Sequence, residues 1–510
     1  FDMKLADLLE DSDIQEVSGD TSVDITDIYY DSRGCSENSL FVAIRGLLYD
    51  GHNFISHAVK KGARYIVHEQ DVTPEQKAGA TFIRVPDSRR ALGKLGKRFY
   101  KNPSSELCLV GVTGTNGKTT VTYFLESIMK KAGLECGVVG TINYRYGANI
   151  YDAPQTTPES LDLQRILREM VDAGVTHAVM EVSSHAIDQG RVRDCEFDIG
   201  IFTNLSQDHL DYHETMEGYF DAKKKYFQEQ LKEDAKILIN VDDPWGAKLL
   251  SDIGKPVMTY GIDTSSDVSV SDFELSIDGI EAEVKAGDKV FTLRTPVIGR
   301  FNLYNILAAT AAALCLDVPE ESIKAGIEEL LNIPGRLEKV SGPGEPPTFV
   351  DYAHTEDALK KVLENLTDFK RRRIITVFGC GGDRDRTKRP LMGKAATDLS
   401  DIAIVTSDNP RTEDPLDIID DIERGIDRDH VTKFSLEEIA SGIDKKGYTV
   451  LPDRLSAIEL AISVADIGDI VLIAGKGHED YQILGKERIF FDDRVYAKEV
   501  LARRPWEGNR

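Results

Sequence analysis

The run Gly111-Val-Thr-Gly-Thr-Asn-Gly-Lys-Thr-Thr120 constrains this chain more than any other stretch. Leu107-Cys-Leu-Val110 before it is apolar throughout, as a buried strand is. Val121, Phe124, Leu125, Ile128 and Met129 after it fall on one helical face. Strand, glycine turn and helix N-terminus together make a phosphate cradle. Glycines let backbone N–H groups converge on anionic oxygens, and the helix dipole adds positive potential there. Lys118 is placed to reach the outer phosphates, and the Thr119 hydroxyl to sit on a magnesium ion. Gly114, Thr115, Asn116, Gly117, Lys118, Thr119 and Thr120 are therefore expected to bind a nucleoside triphosphate. One position departs from the common pattern: Val112 stands where glycine is usual, five residues before Gly117, and Gly114 lies inside the loop. Common GTPases and kinases do not use that variant.

With 510 residues the chain has room for about three domains. Apolar residues at 41% and charged residues at 29% describe a globular protein. The net charge of −25 argues against a nucleic-acid-binding surface, which needs clustered Lys and Arg. It does not exclude anionic ligands, because a few placed cations override the mean field locally. Cys35, Cys108, Cys136, Cys195, Cys315 and Cys380 are scattered with no C-x-x-C pair, so free thiols in a reducing cytoplasm are expected. The opening residues lack the basic-then-apolar pattern of an export signal, and no apolar run reaches membrane-spanning length. A cytoplasmic protein without a membrane or nucleic-acid partner is the expectation, with a monomer as its expected state.

The fold class expected is α/β with three domains. Residues 1–103 form a small α/β unit, with strands near 39–44 and 64–67 and helices near 57–61 and 89–100. Asn102-Pro-Ser-Ser105 reads as a linker. Residues 104–337 form a central phosphate-loop domain. Strands at 107–112, 136–142, 176–182, 197–203 and 236–240 alternate with helices, the sign of a mostly parallel sheet covered on both faces. Within it, 267–296 alternates at period two with turns at Asp278-Gly279 and Gly287-Asp288, an antiparallel subsheet, followed by an alanine-rich helix over 302–316. Residues 338–510 form a Rossmann-like domain, with strands at 348–352, 372–378, 402–406 and 469–474 and helices near 356–367, 390–398, 416–425 and 453–465.

Met180-Glu-Val-Ser-Ser-His185 puts a carboxylate, Glu181, at a strand end where it is placed to hold magnesium; a surface or N-cap cluster is the plain alternative. Thr203-Asn-Leu-Ser-Gln-Asp-His-Leu-Asp-Tyr-His213 is polar enough to be loop or to supply a metal ligand. Ala222-Lys-Lys-Lys225 reads on composition as a solvated helix face. Three strands of the last domain end in polar loops: 379–390, 407–411 and 475–479. Arginine forks there bind carboxylates, and a glutamate holds an amine, so a zwitterionic or dicarboxylic amino acid fits.

Taken together these motifs resemble the Mur ligases, and among them the members that add the third residue of the peptidoglycan stem peptide. T-G-T-N-G-K-T-T, E-V-S-S-H, T-N-L-S-x-D-H-L-D-Y-H, A-K-x-x-x-F, G-R-F-N-x-x-N, P-G-R-x-E, D-Y-A-H, G-C-G-G-D-R-D, D-N-P-R and G-K-G-H-E occur in family order, over essentially the whole chain. The resemblance implies an ATP-dependent amide ligase of the bacterial cytoplasm. ATP phosphorylates the D-glutamate γ-carboxylate of UDP-N-acetylmuramoyl-L-alanyl-D-glutamate, an incoming amine attacks the acyl phosphate, and phosphate leaves.

The resemblance also implies roles residue by residue. Lys118, Glu181, His209 and Lys223 carry catalysis. Thr119 and Glu181 bind one magnesium ion; Glu181, His209 and Lys223 serve a second, with Lys223 carbamylated by carbon dioxide. Asn305 contacts adenine, and Arg336 and Asp351 hold ribose or phosphate. Tyr30 and Ser32 grip the uridine end, and Thr156, Thr157, Ser183, Gln189 and Arg191 line the muramoyl-dipeptide. Tyr226 stands where leucine is usual, and Gln155 where asparagine is usual.

Asp408, Asn409, Pro410 and Arg411 resemble the motif of relatives that take meso-diaminopimelate. Arg411 would pair with the far carboxylate of that amino acid, while Arg389, Gly475 and Glu479 match positions that hold its other carboxylate and its amine. L-Lysine would leave Arg411 unpaired at a cost of about 2 kcal/mol. Three other readings stand beside this one: the same ligase adding L-lysine, a folylpolyglutamate synthetase-like ligase, and a scaffold that binds nucleotide and precursor without joining them.

Overall fold

The computed structural model describes residues 3–10, 12–46, 49–73, 80–504 and 506. It divides into two compact units. The first holds Phe1–Leu205, Thr215–Ser266 and Ala308–Ile323; the second holds Ser206–Glu214, Asp267–Leu307 and Lys324–Arg510.

Besides the short antiparallel pair Met3–Lys4 with Asp24–Ile25, the first unit contains two larger sheets. The N-terminal sheet runs Glu16–Ser18, Thr81–Arg84, Tyr65–His68, Leu40–Val42, Ile28–Tyr29, parallel except for its first strand. Helix Ile55–Lys61 lies in sequence between strands Leu40–Val42 and Tyr65–His68, and helix Ser88–Phe99 follows strand Thr81–Arg84. Strand Thr81–Arg84 is one the sequence reading did not mark, and Pro103–Ser105 of the expected linker is a turn of 3-10 helix.

The second sheet of this unit places eight strands in the order Asn149–Asp152, Asn143–Tyr146, Cys136–Val139, His177–Glu181, Cys108–Thr113, Phe197–Phe202, Leu231–Asn240, Val257–Tyr260. From Cys136–Val139 onward all neighbours are parallel. Val110, Val112, Val179, Ile199 and Ile201 are buried, as expected of strands covered on both faces.

In the second unit, seven strands run Glu338–Lys339, Thr348–Asp351, Ile470–Ala474, Ile374–Phe378, Ile402–Val405, Gly447–Val450, Thr432–Lys433. All pairings are parallel except the first. The carboxyl ends of such strands are where doubly wound sheets place ligands. Asp351, Ala474, Phe378 and Val405 all end there, immediately before the polar loops. Two further pieces belong to this unit. One is the antiparallel meander Val268–Ser276, Gly279–Ala286, Lys289–Thr295, whose middle strand alternates buried and exposed residues as expected. The other is a hairpin, Tyr481–Leu484 with Glu487–Phe490, absent from the sequence reading. Strand Gly447–Val450 was also missed. Among the described residues no helix is long and apolar enough to cross a membrane.

Candidate active site

The strand Cys108–Thr113 ends in the glycine loop, and the helix Lys118–Lys131 begins at its lysine. Gly114 and Gly117 have φ of +151° and +89°, conformations that glycine alone enters readily. A Cβ on Gly114 would fall 1.9 Å from Thr203 Oγ1. The loop is stapled to the end of the adjacent strand: Asn116 N donates to Asn204 Oδ1 at 3.0 Å, and Thr203 Oγ1 donates to Asn116 O at 2.7 Å. Thr115 Oγ1 lies 3.2 Å from the Tyr219 hydroxyl, and Thr120 is buried under the helix start.

Behind the loop sits a buried carboxylate. Glu181, 1% exposed, ends the strand His177–Glu181 beside Val112. Thr119 Oγ1 donates to its Oε1 at 2.9 Å. Thr141 adds two more bonds of 2.9 Å, from its N to Oε1 and from its Oγ1 to Oε2. Sequence reasoning missed Thr141; its only signal was a hydroxyl residue just past the end of a core strand. Thr119 Oγ1, Thr141 Oγ1 and both Glu181 oxygens are hard donors, the set that suits magnesium. Among the described residues no three His, Cys, Asp or Glu side chains gather to hold a metal. An ion at Glu181 would therefore complete its shell with hydroxyl, phosphate or water oxygens.

Two lysines converge on the loop. Lys118 Nζ donates to Gly114 O and Thr115 O, both at 2.9 Å, and Lys223 Nζ donates to the same Gly114 O at 3.0 Å. Lys223 is 1% exposed, and its Nζ lies 4.7 Å from the centre of the Tyr219 ring. The solvated-face reading of residues 222–225 is thus corrected. On the helix Met216–Glu229, position 223 follows Tyr219 by four and precedes Tyr226 by three, so it shares the core stripe; Lys225 is exposed. Tyr226 fills the expected leucine position without disturbing this, edge-on to Phe197 at 5.1 Å.

The residues assigned to the precursor also lie in the first unit. Tyr30 donates from its hydroxyl to Asp162 Oδ2 at 2.5 Å, and burial, then that carboxylate, pushes its phenol well above the ordinary range. Ser32 Oγ lies 3.0 Å from His57 Nδ1. Thr156 Oγ1 is 3.0 Å from Thr141 Oγ1, which connects this region to Glu181. Thr157 Oγ1 donates to Glu181 O at 2.8 Å and lies 3.3 Å from Ser183 Oγ. Arg191 donates to Thr157 O at 3.0 Å, to Gln189 Oε1 at 2.7 Å and to Gln155 Oε1, while its Nε has no hydrogen-bond partner. Glu159, which sequence reasoning did not single out, caps the helix Ser160–Asp172 and pairs with Arg89.

The second unit holds the remaining candidates. His209 opens the turn of helix Leu210–His213 at φ +54°, with Nε2 3.5 Å from Asp208 Oδ2, so the polar run 203–213 is loop except for that turn. Asn305 lies on the helix Arg300–Cys315 and donates to Asn302 Oδ1 at 3.0 Å. The Arg336 guanidinium stacks 4.9 Å from the Tyr352 ring centre. Asp351 accepts from Leu337 N at 2.6 Å and Ala353 N at 2.8 Å; burial nonetheless pushes its carboxyl up.

The three polar loops meet as expected. Gly475, at φ +116°, would place a Cβ 3.0 Å from Asp408 Oδ2. Asn409 Nδ2 donates to Glu479 Oε2 at 2.8 Å. Gly382 packs so closely on the buried Pro410 that a Cβ would stand 1.8 Å from its carbonyl oxygen. Arg411, at φ +53°, donates to Gly382 O at 2.8 Å and pairs with no carboxylate among the described residues. Its backbone is clamped by the unforeseen hairpin: Arg411 N donates to Ile483 O at 3.0 Å, and Gly485 N to Arg411 O at 2.7 Å. Arg389 is 0% exposed, with terminal nitrogens committed to Glu413 at 2.8 and 3.1 Å and Asp421 at 3.0 Å. Arg389 in turn draws the Glu413 carboxyl down to about 2.

Strand, glycine loop, helix and the buried Thr119–Glu181 pair define a phosphate-loop α/β protein with a separate doubly wound unit. Family models match in three places: Mur ligase family, catalytic domain over residues 24–100, Mur ligase middle domain over 112–313, and Mur ligase, glutamate ligase domain over 335–477. A relative from Geobacter metallireducens, a UDP-N-acetylmuramoyl-L-alanyl-D-glutamate--2,6-diaminopimelate ligase, is 47% identical over 98% of this chain and 98% of its own. The chain belongs to the Mur ligase family. A solved structure of a protein bearing that same ligase name is 32% identical, with a TM-score of 0.69 over 99% of each chain. MurF ligase from Thermotoga maritima in complex with ADP shares the fold, at 20% identity and a TM-score of 0.61 over 93% of this chain and 96% of that one.

Proposed function

We propose that this protein joins meso-diaminopimelate to the D-glutamate γ-carboxylate of UDP-N-acetylmuramoyl-L-alanyl-D-glutamate at the expense of ATP. It acts in peptidoglycan precursor synthesis, as a cytoplasmic monomer without nucleic-acid or membrane partners. Its domains run 1–103, 104–337 and 338–510 and take, in that order, the uridine end, ATP and the amino acid. The observation that carries the reading is Arg411, a guanidinium held by main-chain carbonyls beside Asp408 and Asn409 of its own loop and Glu479 of the next. That combination offers a cation for a carboxylate and carboxylates for an amine.

Gly114 to Thr120 hold the triphosphate, and Lys118 leaves its carbonyl partners to neutralise the charge that develops on the transferred phosphoryl group. Asn305 contacts the adenine, and Arg336 and Asp351 hold ribose or phosphate. The family resemblance gives Thr119 and Glu181 to one magnesium ion and Glu181, His209 and Lys223 to a second; ions held so would neutralise the phosphoryl oxygens. The buried Lys223 amine, in its neutral form, adds carbon dioxide and loses a proton. The resulting carbamate is an oxygen ligand, which suits a hard ion where an ammonium does not. Tyr30 and Ser32 hold the uridine end, while Thr156, Thr157, Ser183, Gln189 and Arg191 place the dipeptide. No protein nucleophile is required: positioning and charge neutralisation carry the acyl-phosphate step, and the amine then expels phosphate. Arg389 is the residue carried over for the second carboxylate, with its terminal nitrogens bound to Glu413 and Asp421 and only its Nε without a partner. Gly475 and Glu479 take the amine.

The test is phosphate release from ATP with each amino acid alone and together with the UDP-dipeptide, using diaminopimelate, L-lysine and ornithine side by side. The expected result is release that needs both substrates and favours diaminopimelate by about tenfold or more. Equal rates with L-lysine would overturn the amino-acid assignment, and release independent of the dipeptide would overturn the ligase.

A further inference from the structure

Lys476 is a fully buried ammonium that none of the roles above uses. Its Nζ lies 3.2 Å from Glu479 Oε2, 3.4 Å from Asn409 Oδ1 and 3.9 Å from Asp408 Oδ1, and it donates to the Tyr481 carbonyl. These partners come from three segments: the loop after Ile402–Val405, the loop after Ile470–Ala474 and the strand Tyr481–Leu484. The same three are tied by Asn409 Nδ2 to Glu479, by Ile483 N to Asn409 Oδ1 at 3.0 Å and by Gln482 Nε2 to Asp408 O at 2.6 Å. A buried lysine without such partners is costly, so Lys476 holds the loops in one arrangement or the arrangement fails.

The charges do not cancel. Asp408 and Glu479 bring two carboxylates to one ammonium, and Asp408 Oδ1 is buried with no hydrogen-bond partner. An incoming ammonium group supplies both the absent donor and the balancing charge. We propose that Lys476 is a positioning residue for the amino-acid substrate: it draws Asp408, Asn409 and Glu479 together and leaves the cluster short of one positive charge, which the substrate's amino group provides. The inference rests on the ligase reading and extends it to a residue that reading does not assign.

The groups facing Glu479 are Asp408, Lys476, Asn409, Tyr352, Tyr481 and Arg454. Burial and then Asp408 push its carboxyl up, while Lys476 pulls it down. Without Lys476 the carboxyl rises further, so the ionised form that holds an ammonium is lost sooner as pH falls.

The test compares the full chain with Lys476→Met and Lys476→Arg. It measures kcat/KM for diaminopimelate between about pH 6.5 and about pH 9, together with KM for ATP and the UDP-dipeptide. In Lys476→Met, kcat/KM for diaminopimelate should fall about tenfold at neutral pH, with a ratio to wild type that worsens toward acid. KM for ATP and the dipeptide should stay within about twofold. Lys476→Arg, which keeps the charge, should retain the wild-type pH dependence with a smaller loss. A ratio flat with pH, or a parallel rise in all three KM values, would overturn the proposal. Wild-type protein that fails to ligate diaminopimelate would overturn the diaminopimelate assignment on which this rests, whereas an unaltered Lys476→Met variant of an active enzyme overturns this inference alone.

Discussion

Lys118 and Lys223 donate to the same acceptor, the carbonyl oxygen of Gly114, at 2.9 and 3.0 Å. One lysine comes from the first residue of a helix, the other from the middle of a helix more than a hundred residues later. Two ammonium groups on one oxygen repel, and the repulsion grows in a buried setting. Under the proposed function, ATP phosphates would relieve it on the Lys118 side and a carbamate on the Lys223 side, so the two proposals support each other.

Lys223→Ala should therefore lower turnover by about a hundredfold or more, because a ligand and its charge are lost together. Short carboxylic acids should restore part of it by placing a carboxylate where the carbamate stood. Phosphate-release rates with and without added acetate measure this. Wild-type turnover in the variant would remove the modified lysine from the mechanism.

Arg411→Ala should lower kcat/KM for diaminopimelate about tenfold or more while KM for ATP stays nearly constant. The backbone at this position is held by Ile483 and Gly485, so removing the side chain leaves the loop in place. Steady-state kinetics with both amino acids gives the ratio; an unchanged preference over L-lysine means that the far carboxylate is read elsewhere.

Gly382→Ala tests the loop without replacing a charged side chain. The new Cβ would sit 1.8 Å from Pro410 O, an overlap that only a backbone shift can remove. Stability should fall by about 2 kcal/mol, and KM for the amino acid should rise more than KM for ATP. Denaturant midpoints and kinetics on one preparation separate the two effects. A variant as stable as wild type with unchanged kinetics would show that the loop gives way freely.

Glu413 supplies an acid-stability prediction. Its carboxyl is held at about 2 in the folded protein, against an ordinary value of 4.5, with the Arg389 hydrogen bond as the first cause. A depressed carboxyl stabilises the fold above its ordinary value, and that stabilisation is lost as pH falls toward the folded value. The stability gap between wild type and Glu413→Gln should thus be full near neutrality and shrink between about pH 4.5 and about pH 2. Chemical denaturation across that range reads it directly. A constant gap would place the effect in packing rather than charge.

Several features were legible in order along the chain because their physics is local. The phosphate loop is a strand, a turn and a helix in direct succession, and its glycines at 114 and 117 adopt the backbone angles that the motif needs. The parallel strands announced themselves as apolar runs, and the meander as period-two alternation. Motif order also named Glu181 and Lys223, although composition alone set Lys223 on a solvated face. The hairpin Tyr481–Phe490 escaped notice although Tyr-Gln-Ile-Leu-Gly-Lys-Glu-Arg-Ile-Phe has hairpin character, because its many exposed residues weaken the hydrophobic signal.

By itself the amino-acid sequence determined the α/β class, the phosphate cradle and the family, since each depends on residues close together or on motifs in a set order. Tertiary structure alone decided that Thr141 completes the Glu181 cluster, that Lys223 is buried on the oxygen Lys118 also uses, and that Lys476 joins three loops. Those relationships cross long stretches of chain, and hydrogen bonds and desolvation act through distance in space. Spacing along the chain fixes the face a residue takes, not the distant atom it meets there.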